Sequence, residues 1–152
     1  MVLSKACTYG ILASLYVARE THQENEFVSI RQMSDELNIS FHFLTKILQK
    51  LTKSNILISL KGPKGGVALS RPPKLITMLD IVIAIDGPDL FSECLLGLPG
   101  CGSQKPCPVH EQWTAAREDL RIMFQGKTLA DTSHDVEALN LRLSLPKMEN
   151  KW

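Results

Sequence analysis

Apolar residues recur at three- and four-residue intervals along the first half of the chain, and this spacing predicts helices. Leu3 to Thr21 carries Ala6, Cys7, Ile11, Leu15 and Ala18 near one face. Cys7 on that face reads as a small buried hydrophobe. Val28 to Leu37 carries Ile30, Met33 and Leu37, with Ser29 placed as its N-cap and Gln32 three residues on, as in a capping box. Asn38-Ile39 is a tight turn. Ser40 then caps a helix to about Ser54, whose core face is Phe41, Leu44, Ile47, Leu48 and Leu51. Its opposite face carries His42, Thr45, Lys46, Gln49, Lys50 and Lys53. Two short helices joined by a tight turn, the second basic on its outer face, describe a helix-turn-helix. An ordinary helical hairpin gives the same pattern.

The period then changes, which favours the first reading. Ile56 to Leu60 is β-branched and apolar, Lys61-Gly62-Pro63-Lys64-Gly65-Gly66 is a cationic, glycine-rich turn, and Val67 to Leu69 returns. A hairpin in this place is a wing. Gly62 and Gly65 let its tip approach a phosphate or groove floor, and Lys61 and Lys64 supply charge. Thr77 caps a fourth helix to about Asp86, with Met78, Leu79, Ile81, Val82 and Ile85 apolar, and Gly87-Pro88 stops it.

From Leu90 to Cys107 no period survives among Gly97, Pro99, Gly100, Gly102 and Pro106, which predicts a functional or mobile loop. Pro108 suits the first position of a long helix ending at Gln125 before Gly126. Its stripe is Val109, Trp113, Ala116, Leu120, Met123 and Phe124. Either a homodimer seam or the chain's own packing would cover that stripe, and a two-fold dimer suits a palindromic operator. After Thr132 the pattern weakens to scattered Leu139, Leu141, Leu143 and Leu145, which predicts a short docking segment and a frayed end. The expected fold is mainly α with a small β-hairpin: a winged helix-turn-helix over residues 1–76, then a linker helix, cysteine loop and dimerisation helix over 77–131, and a partly disordered tail over 132–152.

Charge sharpens the division. The net charge of +1 conceals a balance of +5 over residues 1–76 and −4 over residues 77–152. From Ser40 to Lys74 there are seven Lys or Arg and no acid. Such a window fits a polyanionic partner or a solvated basic face. Composition is that of an ordinary globular protein, and no apolar run approaches the ~20 residues of a membrane span. A cytoplasmic location is the expectation, with no signal peptide. The chain has no phosphate-binding loop before a helix, no dinucleotide fingerprint and no nucleophile–base pair, so an enzyme is not expected.

Three of the four cysteines cluster as Cys94-x6-Cys101-x5-Cys107. Three thiols in a Gly/Pro-rich loop can converge on an iron–sulfur cluster or zinc, or can act as a thiol switch. Cys107, at the expected N-cap of the long helix, would be the most reactive, because a helix N-terminus favours a thiolate. His110 lies three residues on, where a helix would turn its imidazole to the same face.

The run Leu3-Ser4-Lys5-Ala6-Cys7-Thr8-Tyr9-Gly10, the wing Gly62 to Leu69, the stretch Ile76 to Gly87 and the cysteine loop together resemble the bacterial Rrf2 family of regulators. The resemblance covers about residues 1–130 and implies a dimeric winged-helix regulator, in many members a repressor, that binds double-stranded DNA. It aligns His42, Thr45 and Lys46 with the family's base-reading positions and implies that Ser40, Lys50, Lys53, Lys61, Gly62, Lys64 and Gly65 lie along the DNA. It further implies an iron–sulfur cluster, of the two-iron two-sulfur type, on Cys94, Cys101, Cys107 and His110, since IscR-like members use a histidine at this offset. NsrR-like members use an acid in the first helix of the other subunit, where this chain has Thr8. CymR-like members are controlled by a metabolic enzyme, so a regulatory protein partner is the alternative to a cluster.

Overall fold

The computed structural model describes residues 2–21, 26–139 and 143. Among these residues, seven α-helices and one hairpin follow in order: α1 (Lys5–Glu20), α2 (Ile30–Leu37), α3 (Phe41–Lys53), β1 (Leu57–Leu60), β2 (Gly66–Leu69), α4 (Met78–Asp86), α5 (Asp89–Ser92), α6 (His110–Gln125) and α7 (Leu129–Ala138), with a short 3-10 turn at Pro73–Leu75 before α4. The architecture is thus mainly helical with a two-stranded antiparallel sheet, as the periodicity predicts.

Local chemistry sets the helix ends. Ser4 accepts from Cys7 N–H at the start of α1, and its hydroxyl and backbone N–H in turn donate to the Asp86 carboxylate at the end of α4. Ser29 caps α2 by accepting from Gln32 N–H, but the Gln32 side chain turns forward to Glu36 (3.0 Å), so the expected capping box is only half made. Asn38, at φ 57°, takes the left-handed turn that frees α3 to start in a new direction. Ser40 stands at the N-cap of α3 without a side-chain cap bond, contrary to expectation. Thr77 and Asp80 complete a reciprocal capping box on α4, and Thr128 and Asp131 do the same on α7.

One core joins these elements. Leu44, Ile47, Leu48 and Leu51 of α3 are buried with Leu15, Tyr16 and Val17 of α1, Ile81, Val82 and Ile85 of α4, and Leu129 of α7. The apolar residues of α4 and α7 therefore share the core of α1–α3, and α7 runs across the expected boundary at residue 131. Phe41, expected in the core, is half-buried with the Arg31 guanidinium 4.7 Å from its ring centroid. Gly10 lets α1 seat closely: a Cβ there would lie 2.0 Å from Ile85 Cδ1. Of the expected tail, Leu143 is buried, and residues 140–142 and 144–152 lie outside the described residues.

The wing is anchored at its base. Leu57 pairs with Leu69 and Leu60 with Gly66 across the hairpin. Val67 also exchanges both backbone hydrogen bonds with Val28 (2.8 and 3.0 Å), so the segment before α2 adds a third, one-residue rung. Gly66 permits this approach, since a Cβ would lie 2.0 Å from the Val28 carbonyl oxygen.

Candidate nucleic-acid interface and metal centre

Burying one face of α3 presents the other to solvent. His42, Lys46, Gln49 and Lys53 are exposed and Thr45 is half-buried, its hydroxyl donating to Phe41 O (2.7 Å). The wing presents Lys61, Gly62 and Lys64, with Gly65 half-buried and its N–H closing the tip turn onto Gly62 O. Between helix and hairpin lies an open groove of about 640 Å³ lined in part by Thr45, Gln49, Lys53, Lys61, Gly62 and Gly65. The structure thus brings Thr45 and Lys53 together with the wing on one concavity, with His42 and Lys46 earlier on the same exposed face of α3. Lys50 behaves differently: its ammonium donates to Ile85 O at the end of α4 (3.3 Å). Cations favour helix C-termini, and this one ties α3 to α4. The sequence pattern also gave no sign of Phe43, whose ring packs edge-on against Tyr9 at 5.5 Å.

The cysteine loop begins after α5, which replaces the start of the expected irregular stretch. Cys94 Sγ lies 3.2 Å from Cys101 Sγ and 3.9 Å from Cys107 Sγ, and all three sulfurs lie within 4.8 Å of one another. Thiolates sharing one tetrahedral ion, with metal–sulfur bonds of about 2.3 Å, stand about 3.8 Å apart. The trio therefore fits a thiophilic metal centre. All three are half-buried, which allows exchange with solvent. Among the described residues, His110 is not in this group, although its N–H donates to Cys107 O (3.0 Å).

Two expectations about the loop change. The long helix starts at His110 with Val109 at its N-cap, so Pro108 is not its first residue and Cys107 is not its cap. The Cys94 thiol is lowered. Its hydrogen bond with Cys101, then the Leu96 N–H, draw it down to about 7, and the same contact raises Cys101. Cys7 is unrelated to this site: it is buried, and desolvation with the Asp86 charge pushes it up to about 12.

The stripe of α6 divides. None of its residues is fully buried. Trp113, Leu120 and Phe124, with Val109 at the N-cap, are half-buried, and Phe124 packs edge-on against Phe91 at 6.2 Å. Ala116 and Met123 are exposed, beside Ile122. Part of the expected seam is therefore occupied by this chain's own α5. The apolar stretch Leu95, Leu96 and Leu98 between the thiols is exposed as well. Among the described residues, no helix is long and apolar enough to cross a membrane.

Comparison with known proteins agrees with this geometry. The family model described as Rrf2, iron-dependent transcriptional regulator, matches residues 3–135. A putative HTH-type transcriptional regulator of Aquifex aeolicus is 29% identical over 86% of this chain and 90% of its own length. The regulator IscR of Erwinia tasmaniensis is 27% identical over 91% of this chain and 82% of its own. The fold matches that of CymR, the global cysteine regulator of B. subtilis, with a TM-score of 0.73 at 22% identity, covering 88% of this chain and 96% of that one. It matches T. potens IscR with a TM-score of 0.70 at 23% identity, covering 91% and 90%. A buried three-helix head, a winged hairpin and a family match over most of the chain lead to one conclusion: this protein belongs to the Rrf2 family and is a winged-helix, DNA-binding transcriptional regulator.

Proposed function

We propose that this regulator is a cytoplasmic homodimeric repressor whose grip on a palindromic operator depends on an iron–sulfur cluster held by the cysteine loop. The observation that carries the reading is the meeting of Cys94, Cys101 and Cys107 within 4.8 Å. Thiolates are the preferred ligands of such clusters. His110, three residues past Cys107, is assigned as the fourth ligand of a two-iron two-sulfur cluster. When bound, the cluster supplies a centre that iron supply, oxidants or nitric oxide can alter.

The chain's own residues divide the DNA work. His42, Thr45 and Lys46 read base edges from the first turns of α3. Ser40, Lys53, Lys61, Gly62, Lys64 and Gly65 hold the phosphate backbone, which positions the protein without specifying sequence. Two such heads, joined through the exposed Ala116 and Met123 side of α6, would meet two half-sites.

A thiol switch is the second reading, and the 3.2 Å approach of Cys94 to Cys101 favours it specifically. In that case the cluster is absent and a partner protein or thiol oxidant sets DNA binding. The test is a gel-shift titration on operator DNA selected in vitro, comparing anaerobically reconstituted protein with protein stripped of iron. A shift of operator affinity between the two is expected. Identical affinities, with iron present in one preparation only, would leave the cluster without a regulatory role.

A further inference from the structure

Cys94 has its sulfur within reach of both others (3.2 Å from Cys101 and 3.9 Å from Cys107). Its backbone is fixed from outside the loop. The Trp113 indole N–H donates to Glu93 O (2.9 Å), and Arg117 Nη1 donates to both Glu93 O (2.9 Å) and Ser92 O (3.1 Å). These carbonyls end the single turn of α5, where orphan acceptors need donors. Two side chains one turn apart on α6 thus grip the residue immediately before Cys94. The loop beyond has exposed leucines and no buried residue, so packing does not fix it.

We infer that Trp113 and Arg117 are positioning residues for the three-thiol site: their clamp on the Ser92 and Glu93 carbonyls holds Cys94 where the other two sulfurs can reach it. The inference deepens the reading of the thiols as one functional site and rests on it. It also gives Trp113 a task other than filling a dimer seam.

The test uses two readouts on the full-length reduced protein. One is closure of a Cys94–Cys101 disulfide by diamide, which accepts the two electrons and two protons that the thiols release; peptide mapping identifies the bond. The other is Co²⁺ titration, read by thiolate charge-transfer absorption. Trp113→Phe removes the N–H and keeps the ring, and Arg117→Ala removes the fork. Arg121→Ala is the control, since among the described residues the Arg121 guanidinium bonds to Glu118 and Gln125 of its own helix and to no carbonyl of the loop. Trp113→Phe and Arg117→Ala should each slow disulfide closure and weaken Co²⁺ binding about three- to tenfold, the net scale of one intramolecular hydrogen bond. Arg117→Lys, keeping one donor, should recover part of the loss. Arg121→Ala should match wild type. If Arg117→Ala does not fold, Trp113→Phe carries the test alone. Wild-type rates and Co²⁺ affinities in the clamp variants would overturn the inference. Slowed closure in protein that never develops Co²⁺ absorption would sustain the clamp and count against the metal centre, so the two failures are separable.

Discussion

Helices α3 and α6 are both amphipathic, yet they are held in opposite ways. The 13 residues of α3 bury Leu44, Ile47, Leu48 and Leu51 in the common core. The 16 residues of α6 bury none completely. Helix α3 is therefore held by apolar burial, which fixes its axis and leaves its polar face exposed. Helix α6 is held against α4 and α5 by half-buried contacts such as Phe124 on Phe91, and by donors reaching backbone carbonyls. Under the proposed function, the reading head would benefit from rigidity, and the sensing loop from stability low enough for a ligand or a partner subunit to reshape it.

The largest effect should come from breaking the first half of this contrast. Leu44→Ala opens a cavity at a fully buried position of α3 and should cost about 2–5 kcal/mol of stability, measured by urea unfolding. A loss under 1 kcal/mol would mean that α3 is not core-anchored. Next, Lys46→Ala should weaken the operator by about 1–3 kcal/mol while leaving unrelated DNA nearly unaffected. Lys53→Ala should weaken all DNA alike and flatten the salt dependence by ~1 unit. Equal behaviour of the two variants in a salt titration would erase the division between reading and positioning residues. The smallest effect should be on the other side of the contrast. Leu96→Ser, at a half-exposed loop position, should change unfolding stability by no more than about 0.5 kcal/mol. A large change there would mean that the loop is packed against something in solution, a second copy first of all.

The same contrast explains what the sequence disclosed. Residues Ile47 to Leu51 and Met78 to Ile85 announce their helices because burial repeats with the helical period, and Lys61 to Gly66 announces the wing because a hairpin tip needs glycine and this one also needs charge. The cysteine cluster was visible through chemistry alone. Other features carried no such signal. Helix α5 is a single turn, too short for any period. The bonds from Trp113 and Arg117 end on carbonyls, which every residue possesses. Cys107 was misplaced because Pro108 opens a turn rather than the helix, and α6 begins only at His110. Lys50 is expected along the DNA, and nothing in the sequence shows that its ammonium also reaches Ile85 O at the end of α4. Helix α7 could have been read from Thr128 and Asp131, whose spacing is that of the capping box they form.

The cysteine loop is where the account is most exposed to test. Wild-type protein and Cys107→Ala should be reconstituted anaerobically with ferrous iron and sulfide, desalted, and compared by visible absorption. Wild type should be brown, with charge-transfer bands and bound iron, and Cys107→Ala should lose most of both. A colourless, iron-free wild type that still binds its operator would contradict the cluster and leave the three thiols to act without it.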